Sequence, residues 1–200
     1  MNTAPRSPVF TFVEAPRRER RVPLPALLPQ VASVAAELRA RFAPGEVIGL
    51  IFRSEPIIVM AWLAALHAGL RPLIMQYPTR KQSRLYWLDS VSHTIERAGL
   101  AGILCDDYSA GLGAAERAPA VLVLPPLEAI PAASANLPAT LLPESFAILQ
   151  LSSGTTGFRK AIEFHSDALR RHVDDYNAAL GLDPARDRIV SWLPLYHDMG

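Results

Sequence analysis

Between Val47 and Met75 the chain runs through an apolar stretch, a second apolar stretch of helical length and a third, with very short connections. Val47 to Phe52 reads as a strand without polar alternation, the pattern of a strand covered on both faces. Pro56 to Ala68 is apolar all round and begins on a proline, a residue suited to the first turn of a helix. Arg71 to Met75 reads as the next strand. Strand, buried helix and strand in this order predict a βαβ unit with parallel strands and a right-handed crossover. A parallel sheet needs cover on both sides, so the unit implies an α/β layer architecture. His67, on the apolar helix, reads as a packed or capping histidine rather than a ligand.

The flanking sequence extends this pattern. Residues 1–23 are Pro-rich and basic and read as an extended arm, with Val9, Phe10, Phe12 and Val13 as an edge strand. From Pro29, Val31, Val34, Ala35, Leu38 and Phe42 recur at helical spacing until Pro44-Gly45. Tyr77-Pro78-Thr79 is a turn, and after it Leu85, Leu88, Ser92, Ile95 and Ala98 mark one helix face ending at Gly99. Arg80, Lys81 and Arg84 give that helix a basic start, which its dipole disfavours. A solvated charge cluster is the plain reading of them, and a contact to phosphate or a carrier protein is the sharper one. Gly102 to Cys105 is strand-like. Asp106 to Pro143 is a Pro-rich excursion with one short strand, Val121 to Leu124. A core strand near Phe146 to Leu151 follows. Ser166 is expected to cap a helix in which Leu169, Val173, Tyr176 and Leu180 share a face, with Gly181 as terminator. His165 and His172 stand about 10 Å apart along that helix, too far for one metal. Arg188 to Leu193 reads as a last strand.

Half of the 200 residues are hydrophobic and 20% are charged, with a formal net charge of +1. This is a globular composition that gives no reason to expect nucleic acid or an anionic membrane as partner. The lone cysteine, Cys105, precludes a disulfide within the chain and reads as a buried thiol in a reducing compartment. No signal-peptide core precedes Arg17, Arg18, Arg20 and Arg21, and Pro56 to Leu70 is too short to span a bilayer. A soluble cytoplasmic protein is expected.

The strand ending at Leu151 passes into Ser152-Ser153-Gly154-Thr155-Thr156-Gly157-Phe158-Arg159-Lys160. Glycines let backbone N–H groups approach an anion, hydroxyls add donors or metal ligands, and the lysine adds a mobile cation. The glycine spacing is not that of a Walker A loop, which argues against a kinase-like P-loop protein. A Gly/Thr-rich surface turn is the plain alternative. Downstream, Val190-Ser191-Trp192-Leu193-Pro194-Leu195-Tyr196-His197-Asp198-Met199-Gly200 ends the sequence.

Together these two stretches resemble the adenylate-forming superfamily of acyl-CoA synthetases, fatty acyl-AMP ligases, luciferases and peptide-synthetase adenylation domains. The loop matches that family from Ser152 to Gly157 and again at Lys160. It departs at Arg159, usually proline, and at Ala161, usually glycine. The Ser191 to Gly200 segment is most similar to fatty acyl-AMP ligases.

The resemblance implies the front part of a large N-terminal α/β domain, stacked βα units with the phosphate loop following a core strand, over residues 24–200. It implies activation of a carboxylic acid, of fatty type, to acyl-AMP with ATP and Mg²⁺ and release of pyrophosphate. The acyl group then passes to a phosphopantetheine thiol of coenzyme A or a carrier protein. Carried over residue by residue, Ser152, Ser153, Gly154, Thr155, Thr156, Gly157 and Lys160 bind the nucleotide. Thr155 or Thr156 assists Mg²⁺, Lys160 and His197 act in catalysis, and Trp192, Tyr196 and His197 line the acid pocket. Asp198 would orient the His197 ring or cap the next helix. The family's later motifs and its C-terminal lid lie outside residues 1–200, so this stretch alone is expected not to turn over. The competing reading is a non-catalytic module in which Arg159 and Ala161 mark a degenerate loop that binds a nucleotide or a partner.

Overall fold

A computed structural model describes residues 9–15, 18–133, 142–152, 160–183 and 186–196, without the side chains of Glu14 and Ala15. The basic arm holds two strands, β1 (Val9–Ala15) and β2 (Arg18–Pro23), which pair antiparallel as a sheet of their own rather than edging the main one. Helix α1 (Leu28–Arg41) buries Val31, Val34, Ala35 and Leu38 and turns Arg39 and Arg41 to solvent. Then come β3 (Val47–Ile51), α2 (Pro56–His67) and β4 (Arg71–Ile74), with β3 and β4 parallel, as the apolar runs predict. Helix α3 (Arg84–Ala98) ends at Gly99, whose φ of 60° is the left-handed terminator that glycine supplies cheaply. Strand β5 (Leu100–Cys105) returns beside β3, and β6 (Val121–Val123) adds to β5, both parallel. Between them the excursion carries a short helix, α4 (Asp107–Gly111), which the Pro count conceals. Strand β7 (Ala147–Leu151), antiparallel β8 (Ala161–His165) and α5 (Ser166–Leu180) complete the elements. The main sheet has the order β6-β5-β3-β4-β7-β8.

All five residues of β3 are buried, and its side chains still alternate between two cores. Ile48 and Leu50 join α1 and α2 on one face, whereas Val47 and Ile51 join α3 on the other. The chain is thus three-layered. No described helix is long and apolar enough to cross a membrane.

One strand escapes the sequence reading, and three expectations need correction. Strand β8 follows the Gly/Thr loop directly; Glu163 and His165 obscure it, since an edge strand tolerates charge on its open side. Ser166 does not cap α5: His165 is the N-cap residue, and the Ser166 N–H donates to the Phe146 carbonyl at 2.8 Å. Arg188 to Leu193 is not a strand. Ile189 and Val190 are 82% and 81% exposed, because no strand among the described residues offers the segment a ladder partner.

Lastly, the buried face of α3 is Trp87, Leu88, Val91 and Ile95, and Leu85 points outward. Leu85 and Trp87 lie roughly 200° apart around the helix, so only one can face the sheet. Trp87 has the larger apolar area, and its indole N–H finds the Gln76 carbonyl at 2.9 Å. Trp87 is 1% exposed and Leu85 is 72% exposed. Trp87→Ala is expected to lower unfolding stability by about 3–5 kcal/mol, and Leu85→Ala by no more than about 0.5. Urea denaturation of both variants tests this; comparable losses would mean that the helix face is misassigned.

Two buried groups tie stability to alkaline pH. Burial first, and then the hydrogen bond to Asp106, pushes the Tyr77 phenol from 10.0 up to about 12. Burial, with Asp106 and Asp107 nearby, pushes the Cys105 thiol from 9.0 up to about 12. Both values are raised on folding, so the folded chain keeps both protons longer than the unfolded chain does. The stability they contribute is complete below pH 9 and is lost as pH rises from there towards 12. The urea midpoint is expected to fall across that interval, and Cys105→Ala with Tyr77→Phe should flatten the slope. An unchanged slope in that double variant would assign the alkaline loss to other groups.

Candidate active site at the carboxyl edge of the sheet

Helix α2 packs on one face of the sheet and α3 on the other, yet they leave from the adjacent strands β3 and β4. Their connections therefore diverge at the carboxyl ends of those strands and open a crevice, the place where open α/β sheets hold ligands. Arg53 and Ser54 follow β3 on one side of it, and Gln76 and Tyr77 follow β4 on the other. Strand β7 lies next to β4 and parallel to it, which brings Ser152 to the same edge.

Ser152 and Lys160 close the neck of the Gly/Thr loop. The Ser152 N–H donates to the Lys160 carbonyl at 2.8 Å, and the Lys160 N–H donates to Ser152 Oγ at 3.2 Å. Directly below, Leu151 pairs with Ala161 and is buried. Ala161 is thus a ladder residue in β8, a position with no requirement for glycine. Glu163, farther along β8, accepts from Arg71 Nη1 at 2.7 Å and so ties β8 to the start of β4. The loop is anchored on both sides, and the Lys160 ammonium stands exposed at its mouth. Ser153, Gly154, Thr155, Thr156, Gly157 and Arg159 lie outside the described residues, as do His197 and Asp198.

The segment leading to Tyr196 crosses the same edge. The Leu195 N–H donates to Ser54 Oγ at 3.4 Å, so the stretch is hung from the connection that starts α2. Tyr196 is half-buried, whereas Trp192 is 88% exposed. Behind Leu195 lies an apolar cavity of about 330 Å³, walled by Phe10, Leu24, Ile58, Trp62 and Ile74 among others.

A polar cluster that motif reading missed spans the carboxyl ends of β4, β3 and β5. Tyr77 Oη donates to Asp106 Oδ2 at 2.7 Å, and Asp106 Oδ1 accepts the Ser109 N–H that opens α4. The Arg53 guanidinium sits 5.5 Å from the centre of the Tyr77 ring, and Tyr108 stacks on that ring with centroids 6.1 Å apart. Each of these residues immediately follows a predicted strand, or lies within four residues of one. The carboxyl-edge rule, applied to every predicted strand, was the signal that could have found them. Among the described residues no group of three or more His, Cys, Asp or Glu side chains could hold a metal.

Known proteins place this edge in context. The profile of the family described as AMP-binding enzyme matches residues 2–200. A protein of Caulobacter vibrioides that carries the name of an acyl-CoA synthetase is 33% identical over 165 residues, 78% of this chain but only 27% of that protein. The fatty acyl-adenylate ligase of L. pneumophila, solved with acyl adenylate and pyrophosphate, superposes with a TM-score of 0.72 at 21% identity, covering 95% of this chain and 33% of the other. The adenylation domain of a keto acid-selecting NRPS module gives a TM-score of 0.76 at 21% identity over 96% of this chain and 36% of that one. Both superpositions concern the fold, and in each case the shared region lies within a much longer protein. With nearly every residue inside the family profile, the chain belongs to the AMP-binding enzymes and has the fold of the N-terminal domain of adenylate-forming enzymes.

Proposed function

We propose that the protein containing this chain activates a carboxylic acid with ATP, forming acyl-AMP and pyrophosphate, and then passes the acyl group to a phosphopantetheine thiol. The observation that carries this reading is the closed neck between Ser152 and Lys160 at the carboxyl edge. It sets an anchored run of glycines and hydroxyls beside an exposed ammonium, which is the chemistry an oligophosphate needs. A carboxylate oxygen attacks the α-phosphorus while the bond to the bridging pyrophosphate oxygen breaks. Two anions must meet, and negative charge grows on the leaving pyrophosphate. N–H donors and the Lys160 ammonium placed against the phosphates lower both costs.

Within that reading Ser152 to Gly157 wrap the triphosphate, Lys160 holds its β or γ phosphate, and Thr155 or Thr156 offers a hydroxyl to Mg²⁺. The ion, when bound, neutralises phosphate charge. The hydroxyl and ammonium groups at the neck suit this role. Trp192, Tyr196 and His197 would border the acid, His197 positioning it rather than moving a proton. The apolar cavity behind Leu195 supports an acid with an aliphatic tail, since its walls offer such a tail contact without desolvating polar groups. Residues 1–23 serve as an arm, and residues 24–200 as part of the adenylation domain. The lone buried thiol suits a reducing compartment such as the cytoplasm.

In the full-length protein, Lys160→Ala is expected to lower ATP–pyrophosphate exchange at least about tenfold, and Arg159→Ala to lower it less. Parity between wild type and Lys160→Ala would sink the phosphate-grip assignment.

A further inference from the structure

We propose that the start of α3 is a docking surface for an acidic carrier protein, the donor of the thiol that takes up the acyl group. The inference rests on the acyl-transfer reading and selects one of its two acceptors. It begins with the outward turn of Leu85. Leu85 and its neighbour Tyr86 are 72% and 68% exposed, two large apolar side chains side by side on one turn. Arg80, Lys81 and Arg84 precede and flank them, all exposed, and no acidic residue stands in the first turn of the helix. Among the described residues no carboxylate forms an ion pair with Arg80 or Lys81. Asp89, one turn beyond Leu85, is the nearest carboxylate along the helix.

Hydrogen bonds tie the surface to the fold. The Gln82 N–H donates to the Thr79 carbonyl at 3.2 Å, the Gln82 side-chain oxygen accepts from Gln76 at 3.1 Å, and Arg84 Nε donates to the Leu112 carbonyl at 2.8 Å. With the Trp87 bond to Gln76, these contacts hold the connection between β4 and α3 in one shape. Such a surface meets a partner without first having to be ordered.

The connection also joins the patch to the site. It starts at the carboxyl end of β4 beside Tyr77, on one wall of the crevice, and ends at Leu85 and Tyr86. A partner seated on the patch can therefore extend a flexible arm along the connection to the crevice. Coenzyme A and a carrier protein carry the same phosphopantetheine thiol, and what differs is its far end. A nucleotide end would use the cations and, even with its adenine stacked on Tyr86, would leave Leu85 idle. A protein with an acidic rim around a small apolar centre uses both, the rim steering the encounter and the aromatic and aliphatic pair anchoring it.

Titrating the full-length protein with a purified acidic holo acyl carrier protein, its apo form and coenzyme A tests the assignment. Arg80→Glu with Lys81→Glu, and separately Leu85→Ser with Tyr86→Ser, should each weaken binding of both carrier forms at least about tenfold. The KM for coenzyme A and the rate of ATP–pyrophosphate exchange should stay within about twofold, since these side chains lie on the surface. Carrier affinity unchanged in both variants overturns the docking surface, as does a loss confined to coenzyme A, which would make the patch a nucleotide-phosphate site. Carrier binding that responds as expected in a protein without pyrophosphate exchange would sink the adenylation reading and leave the docking surface standing.

Discussion

Burial of β3 on both faces is the constraint from which the site follows. A strand without a polar side cannot sit against water, so the chain must cover each face with helix. It does so by sending α2 to one face from β3 and α3 to the other from the neighbouring β4. Two connections leaving adjacent strands in opposite directions cannot fill the space between them. The crevice at the carboxyl edge is thus a by-product of covering the core, and Ser54, Tyr77 and Ser152 border it through strand order alone.

Strand β8 adds what a purely parallel sheet would lack. A parallel continuation after β7 would carry the chain from the carboxyl edge into a long crossover. Antiparallel β8 instead brings it straight back, from Leu151 opposite Ala161 to Ala147 opposite His165. The stretch between Ser152 and Lys160 thereby has its two ends held together at the neck. Holding the ends of a segment together lowers the entropy cost of any later contact it makes. The contact between Arg71 and Glu163 ties the same strand to β4 across the intervening β7.

The parts legible in the sequence were those whose signal is local. Val47–Phe52, Pro56–Ala68 and Arg71–Met75 declare themselves through length and uninterrupted apolar character, and the structure has them as β3, α2 and β4. Gly99 and Gly181 ended their helices as read, since a left-handed residue depends only on its own backbone. What failed depended on a partner elsewhere. Arg188 to Leu193 has strand composition, but a strand exists only where a neighbour accepts its N–H and C=O groups. Leu85 and Trp87 both suit a core face, and the choice between them was made by the Gln76 carbonyl, in a connection whose shape no periodicity encodes. The Gly/Thr loop was legible as a motif at its two ends, Ser152 and Lys160, where the structure supplies geometry.

The same partner dependence bears on how charge is placed around the crevice. Arg53 lies over the Tyr77 ring, whose hydroxyl is bound to Asp106, so that cation belongs to a network satisfied within the fold. Lys160 differs. It is exposed, and no carboxylate among the described residues forms an ion pair with it. A paired lysine would have to break its existing contact before gripping a phosphate, and the lost contact would offset much of the new one. An unpaired ammonium on an anchored neck gives up only water, and loses less of that if the site stays open until the ligand arrives. Under the adenylation proposed above, such an arrangement would suit transient grip and release, because the cation would return to solvent once pyrophosphate left.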